Sequence, residues 1–119
     1  MANLLFHIVT GPENTTRAAL GLLVARTAVA EGHDVTVFFA GDAVSLLRAE
    51  TLDTAHGVGT GSIREHYEAL TGGGARLFGS GMSAAARGIT AETVGGAVEF
   101  VKPDRLVALI VEAERVVTY

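Results

Sequence analysis

Short apolar runs alternate with helix-like segments along the chain, and this alternation limits the fold more than any other feature. The apolar runs predict five strands, at Asn3–Thr10 (NLLFHIVT), Val35–Ala40 (VTVFFA), Ala75–Gly79 (ARLFG), Gly96–Val101 and Arg115–Tyr119 (RVVTY). Strands separated by helices favour a parallel sheet with right-handed crossovers and helices on both faces. We therefore expect a three-layer α/β/α sandwich of about five mostly parallel strands.

The helices predicted between these strands are bounded by capping or helix-breaking residues. They run from Asn14 or Thr15 to Glu31, then over Ala43–Ala49, Ser62–Leu70, Ser80–Ala86, a segment capped by Thr90, and Pro103–Ala113. Gly32 ends the first of them, and Ser62 with Glu65 matches a capping box. Residues 50–61 show no regular pattern.

The first helix is apolar around most of its circumference, since only Arg17, Arg26 and Thr27 are clearly polar within it. A helix with that pattern is buried on more than one side. In so small a chain the sheet covers one side, so we expect a second subunit to cover the other, and therefore a homo-oligomer.

Composition limits the partners. The chain has 119 residues, which is the size of a single domain (1–119), and 9 basic against 13 acidic residues give a net charge of −4. Lys102 is its one lysine, so we expect no nucleic acid as partner, because that binding needs clustered cations. No apolar stretch is long enough to cross a membrane. The absence of cysteine excludes thiolate chemistry, and a cytoplasmic location is the default expectation.

Small and polar residues follow the first three predicted strands. Because ligands of open α/β sheets bind outside the carboxyl ends of the strands, these loops are expected to enclose a pocket for a small polar or anionic ligand. The candidate ligand-binding residues are Thr10, Gly11, Glu13, Asn14, Gly41, Asp42, Ser80, Gly81, Ser83 and Arg87. The alternative is purely structural: Asn14 and Asp42 cap helices, and the glycines permit turns.

The chain resembles the DsrE/DsrF-like proteins, the group that includes sulfur-relay subunits of the TusD type. The stretches that carry this resemblance are His7–Glu13, Thr16–Ala18, Gly32–Phe39 with Gly41 and Asp42, Ala75–Phe78, Arg87–Ile89 and Glu114–Thr118. They cover nearly the whole chain in order. The resemblance implies a three-layer α/β/α fold and assembly into dimers, trimers or hexamers.

Persulfide-carrying members of that group place a cysteine just after the third strand, which corresponds to Ser80 here, and some place a second one at Ser83. A hydroxyl has a far higher pKa than a thiol and cannot hold sulfane sulfur, so this chain alone does not transfer sulfur. Three interpretations stay open. They are a non-enzymatic binding or accessory protein for small anions, linked to sulfur metabolism by the resemblance; a structural partner of a cysteine-bearing paralogue; and an enzyme that uses Ser80 or Ser83. We favour the first.

Other motifs add no chemistry, and we expect neither a cofactor nor a metal. The glycines at 57, 59 and 61 lack the spacing of a dinucleotide-binding loop, and no G-x-S-x-G elbow surrounds Ser80 or Ser83. His7 is predicted to be a satisfied core or interface residue, and His33 lies in a turn away from the predicted site. His66, with Glu65 and Glu68, lacks the spacing of metal ligands.

Overall fold

The structure is a computed structural model, which describes residues 1–92, 94 and 97–119. The strands are β1 (Asn3–Ile8), β2 (Asp34–Phe39), β3 (His56–Gly57), β4 (Gly61–Ser62), β5 (Arg76–Ser80), β6 (Glu99–Val101) and β7 (Arg115–Thr118). The helices are α1 (Thr15–Ala30), α2 (Ala49–Thr54), α3 (Ile63–Gly72), α4 (Gly81–Ala86) and α5 (Pro103–Glu112), together with the short 3-10 helices η1 (Pro12–Asn14) and η2 (Gly41–Leu47).

Five strands form one sheet in the order β6-β5-β2-β1-β7, and every pair in it is parallel. The register sets Leu5 beside Thr36 and places His7 beside Phe38. Since successive side chains of a strand point to opposite faces, Phe6 and Ile8 enter one core and Leu5 enters another. The predicted α/β sandwich with a five-stranded sheet is therefore confirmed.

The two faces of the sheet are covered unequally. Helix α1, η2 and α3 contribute to the larger core, which includes Ile8, Leu22, Phe39, Leu46 and Leu70. Helix α5 packs on the opposite face, where the smaller core consists of Leu5, Phe38, Phe78 and Leu109. This second layer is therefore thin.

The structure corrects the sequence-based prediction in the middle of the chain. Residues 50–61, which show no regular pattern, contain most of α2 and both arms of a small antiparallel ribbon, β3–β4. Residues 41–47 form a 3-10 helix instead of the predicted helix Ala43–Ala49, and the Asp42 side chain does not cap it. The glycine-rich stretch 57–61 is thus a hairpin that contacts α1.

The segment after α4 also differs from the prediction. Residues 91 and 92 form a turn rather than the start of a helix capped by Thr90. The rest of that predicted helix falls partly on residues 93, 95 and 96, outside the described residues. The predicted strand Gly96–Val101 is observed as Glu99–Val101, with Gly96 again outside the described residues.

Helix α1 is covered more fully by its own chain than its sequence predicts. The sheet, α3 and the β3–β4 hairpin all contact it, and its exposed large apolar side chains are Leu20 at 39% and Val24 at 36%. A larger uncovered apolar surface lies on α5, where Val107 is 58% exposed and Val111 is 80% exposed. A homo-oligomer stays a prediction, but α5 is a better basis for it than α1.

Candidate functional site

The loops after β1 and β2 lie against each other at the carboxyl edge of the sheet. Gly11 is buried there, and a Cβ atom added to it would lie 2.0 Å from the main-chain oxygen of Asp42. No side chain fits in that space, because real Cβ atoms do not approach within 3.0 Å of such an atom. Glycine at position 11 therefore allows the first two predicted loops to meet.

The loop after β5 meets the loop after β2 through hydrogen bonds. The main-chain N–H of Gly41 donates to Ser83 Oγ at 3.0 Å. Arg87 donates from Nη2 to Asp42 Oδ1 at 2.8 Å and from Nη1 to the main-chain oxygen of Ser83 at 3.0 Å. Arg48 donates to the main-chain oxygen of Arg87 at 2.7 Å and so holds the end of α4 in place. The structure thus brings together Gly41, Asp42, Ser83 and Arg87, as the sequence predicts.

Ser80 lies where β5 ends and α4 begins. Its hydroxyl caps α4 by accepting a hydrogen bond from Ser83 N at 3.2 Å, and the residue is half-buried. Gly81 packs closely against the neighbouring edge strand β6, because a Cβ there would lie 3.3 Å from the main-chain oxygen of Val101. Residues 80–87 therefore form one surface of hydroxyl, guanidinium and backbone groups. We call this segment, which includes the short helix α4, the Ser80 loop.

The geometry of the two serines does not activate either hydroxyl for nucleophilic attack. Such activation needs a general base within hydrogen-bond distance. Within the described part of the chain, the hydrogen bonds to Ser80 Oγ and Ser83 Oγ come from backbone N–H groups, and neither a histidine nor a carboxylate contacts them. Neither hydroxyl therefore has a proton acceptor in place among the described residues.

The remaining predicted residues do not join the Ser80 loop. Glu13 accepts a hydrogen bond from Gly11 N at 2.9 Å, and Asn14 caps α1 by accepting one from Arg17 N at 3.1 Å. Thr10 is 7% exposed and lines, with Asn14, a separate open cavity of about 700 Å³. The predicted ligand-binding residues are therefore divided between two places, one at the ends of β2 and β5 and one in the cavity between α1 and the end of β7.

The other walls of this second cavity are not predicted from the sequence. They are Val9, Thr16, Arg17, Leu20, Thr118 and Tyr119. One signal was present in the sequence. Arg17 lies in the first turn of a predicted helix, where a positive charge is unfavourable because the helix dipole is positive at that end. The proximity of Thr118 and Tyr119 depends on the order of the strands, which the sequence does not reveal.

A further cavity of about 460 Å³ lies between α2 and α3, where Arg64 and Tyr67 contribute to its wall. Burial raises the pKa of the Tyr67 phenol, an effect that the Arg64 guanidinium partly opposes. Arg64 also forms an ion pair with Asp53. None of the ligand-binding residues predicted from the sequence lines this cavity.

The histidines have structural environments. His66 is 3% exposed, with Nε2 2.6 Å from the main-chain oxygen of Thr60 and Nδ1 3.3 Å from Arg26 Nη1. Because a carbonyl only accepts and a guanidinium only donates, this ring is neutral with its proton on Nε2. His33 Nδ1 accepts a hydrogen bond from Ala2 N at 3.0 Å.

His7 differs from its prediction as a satisfied residue. Its Nε2 is buried and has no hydrogen-bond partner among the described residues, and burial lowers the pKa of the ring. The ring makes an edge-on contact with Phe38, with centroids 5.9 Å apart. The hydroxyl of Thr36, on the same face of the sheet, is likewise buried without a partner in the described part of the chain.

Among residues 1–92, 94 and 97–119, no group of three or more His, Cys, Asp or Glu side chains is placed to hold a metal ion. None of the helices in this described part of the chain has both the length and the apolar character needed to cross a membrane.

The all-parallel sheet, the thin second layer and the loops at its carboxyl edge define the class: a small α/β protein with a candidate binding edge at Ser80. The family model of the DsrE/DsrF-like family matches residues 3–119, and the chain belongs to that family. The sequence-based resemblance is therefore confirmed. No functionally curated protein matches the chain.

Three solved structures share the fold. The ychN protein from E. coli superposes with a TM-score of 0.83 at 20% identity, over 100% of both chains. A protein of unknown function from Methanobacterium thermoautotrophicum gives a TM-score of 0.77 at 18% identity, also over 100% of both chains. A conserved protein of unknown function from Bacteroides thetaiotaomicron gives 0.70 at 12% identity, over 98% of this chain and 95% of the other.

Proposed function

We propose that this protein is a non-enzymatic, oligomeric binding or accessory protein that holds a small inorganic anion, such as a sulfur oxyanion, at the Ser80 loop. The link to sulfur comes from the family, whose persulfide-carrying members place a cysteine at the position of Ser80. A serine there cannot store sulfane sulfur, but its hydroxyl can donate a hydrogen bond to an anionic oxygen. The proposal places this role in the cytoplasm.

The observation that carries the proposal is the position of Arg87 beside the two serines. Its guanidinium lies 3.0 Å from the main-chain oxygen of Ser83, and that serine lies next to the Ser80 hydroxyl. Arginine binds oxyanions through paired N–H donors. Arg87 is 30% exposed and Asp42 is 59% exposed, so their ion pair is accessible to solvent and weak, in the range of about 0–1 kcal/mol.

An anion at this place has to compete with the Asp42 carboxylate for Arg87. We therefore expect weak binding in the wild type and tighter binding in Asp42→Asn, because the amide keeps the shape of the side chain and removes its charge. Arg87→Ala is expected to abolish binding. These opposite effects distinguish a site built on Arg87 from a general response to salt.

The test is a thermal-shift titration with sodium thiosulfate, using sodium chloride at matched ionic strength as reference. Arg64→Ala is the matched control, because Arg64 is 34% exposed and also forms an ion pair with a carboxylate, but belongs to α3 and makes no contact with Ser80, Ser83 or Arg87 among the hydrogen bonds and ion pairs of the described residues. Stabilisation by thiosulfate in the wild type and in Arg64→Ala, but not in Arg87→Ala, supports the proposal. Equal stabilisation of all three proteins rejects it.

Self-association is the second part of the proposal, and the outer surface of α5 supports it. Val107, Ile110 and Val111 form an apolar face there, with Val111 80% exposed. Burial of such a face against a second copy removes apolar area from water. The alternative occupant is a cysteine-bearing paralogue, which would leave this protein as the structural subunit of a hetero-oligomer.

Light scattering on a size-exclusion column tests the assembly with two valine variants. Val111→Asp is expected to give a monomer, because a carboxylate in a closed apolar interface is costly. Val58→Asp is the control, since Val58 is 85% exposed on the β3–β4 hairpin, away from α5. A wild type that is already a monomer rejects self-association and leaves the paralogue as the alternative.

A further inference from the structure

The open cavity between α1 and β7 has the features of a binding site distinct from the Ser80 loop. Its volume is about 700 Å³, which lies within the range of small-molecule sites. Val9 and Leu20, which are 41% and 39% exposed, form apolar walls, and Tyr119 adds an aromatic side chain. The cavity can therefore accept a flat apolar body.

Several polar groups of this cavity make no hydrogen bond or ion pair with the residues that the structure describes. Thr10 is 7% exposed, yet its hydroxyl makes no hydrogen bond to any described residue. The hydroxyl of Thr118 and the guanidinium of Arg17 are likewise without hydrogen-bond or ion-pair partners in residues 1–92, 94 and 97–119. The Thr10 hydroxyl oxygen is not itself shielded from solvent, and Arg17 and Thr118 are exposed, so water or a ligand can reach these groups.

Several neighbouring polar atoms already have partners. Thr16 Oγ1 accepts from Val58 N at 3.0 Å, and Asn14 caps α1. The main-chain oxygen of Tyr119 accepts from both Val9 N and Thr10 N, at 2.9 Å and 3.2 Å. Within the described structure, the groups of the cavity that have no partner are the two threonine hydroxyls, the Arg17 guanidinium, Asn14 Nδ2 and the Tyr119 phenol.

The charge of the cavity is positive on the α1 side. Arg17 lies in the first turn of a helix of 16 residues, where the helix dipole is itself positive, and that turn contains no acidic residue. The position is unfavourable for an arginine in the unliganded fold. It becomes favourable when an anion lies between the guanidinium and the helix end.

We propose that this cavity binds a small organic carboxylate with a flat apolar body. Its carboxylate pairs with Arg17, its body contacts Leu20 and Tyr119, and the Thr10 hydroxyl donates to one of its oxygens. A carboxylate suits the planar guanidinium, which can donate two parallel hydrogen bonds to it. The inference stands independently of the anion proposed at the Ser80 loop.

The test is an NMR titration of the ¹⁵N-labelled protein with 2-naphthoate, 2-naphthamide and acetate. The amide has the same ring system without the charge, and acetate has the charge without the ring. We expect 2-naphthoate to give saturable shifts of the amides of Thr10, Arg17, Leu20 and Thr118, and the other two compounds to bind at least about fivefold more weakly.

Two variants locate the interaction. Arg17→Gln is expected to weaken 2-naphthoate binding about two- to fivefold and to remove its advantage over the amide. Since the guanidinium opposes the helix dipole, this variant should be at least as stable as the wild type, so weaker binding is not a sign of unfolding. Thr10→Val keeps the shape of the side chain and should weaken binding about three- to tenfold.

Arg115→Gln is the control, because Arg115 is an exposed arginine of β7 that donates only to the main-chain oxygen of Glu114 in the described structure. The site is supported if 2-naphthoate binds to Arg115→Gln as it does to the wild type but binds more weakly to Arg17→Gln. The absence of saturable shifts at the cavity in the wild type overturns the proposal. It is also overturned if Arg17→Gln prefers 2-naphthoate over 2-naphthamide as strongly as the wild type does.

Discussion

Gly11→Ala tests whether the first two loops meet as the structure shows. The added Cβ would lie 2.0 Å from the main-chain oxygen of Asp42 and 2.5 Å from its carbonyl carbon. Ordinary contact begins at 3.4 Å, so the Asp42 backbone would have to retreat by about 1.4 Å. The neighbouring hydrogen bond from Gly41 N to Ser83 Oγ at 3.0 Å would be strained by that movement.

The cost has two parts. Overpacking against rigid backbone costs about 1–3 kcal/mol, and a weakened neutral hydrogen bond costs about 1 kcal/mol. We therefore expect Gly11→Ala to lower the free energy of unfolding by about 2–4 kcal/mol, as measured by urea denaturation with an unchanged m-value. For a domain of this size, that loss lowers the melting temperature by roughly 10 °C.

Gly72→Ala is the matched control. Gly72 is the last residue of α3, and a Cβ there would meet no atom within 4 Å. Alanine is a better helix former than glycine, so this variant should be more stable than the wild type by up to about 1 kcal/mol. If Gly11→Ala stays within about 0.5 kcal/mol of the wild type, the loops do not touch as described and the argument for a joined binding edge fails.

Three further predictions concern individual side chains. Burial lowers the pKa of His7 below its ordinary 6.5, so the unfolded chain binds a proton at this histidine at a higher pH than the folded chain does. In urea titrations, the wild type should therefore lose stability relative to His7→Leu as the pH falls from 7.5 to 5.5. His66→Ala leaves Arg26 and the Thr60 oxygen without their partner and should lower the free energy of unfolding by about 2–4 kcal/mol in the same assay. A loss below about 1 kcal/mol would contradict the hydrogen-bonded ring. Asn14→Ala removes the cap of α1 and should cost about 1 kcal/mol, with a smaller helical signal by circular dichroism, whereas an unchanged midpoint would show that the cap is not needed.

The sequence predicted the main elements well where a local signal exists. The apolar run of β2 is buried on both faces of the sheet, and the capping residues Asn14, Ser62 and Ser80 act where their chemistry favours it. These features depend on neighbours within a few residues, which a sequence shows directly.

The errors arise where distant contacts decide the structure. Asp42 has the side chain of a helix cap, but it pairs with Arg87 across 45 positions of sequence. The β3–β4 hairpin is stabilised by α1, for Thr16 Oγ1 accepts from Val58 N. The candidate residues fall in two places because β7 lies beside β1, on the side opposite β2. Thr118 pairs with His7 there, so the end of β7 lines the same cavity as Thr10. Local spacing reveals none of these contacts.

A crystal structure grown in sodium thiosulfate tests the proposed anion site most directly. The account predicts an anion within hydrogen-bond distance of Ser80 Oγ and the Arg87 guanidinium, with the Asp42 carboxylate turned away from Arg87. Crystals of the same form grown from Arg87→Ala protein should lack it. An anion bound elsewhere, or none beside Ser80 at saturating thiosulfate, would contradict the proposal that Ser80 and Arg87 hold an anion.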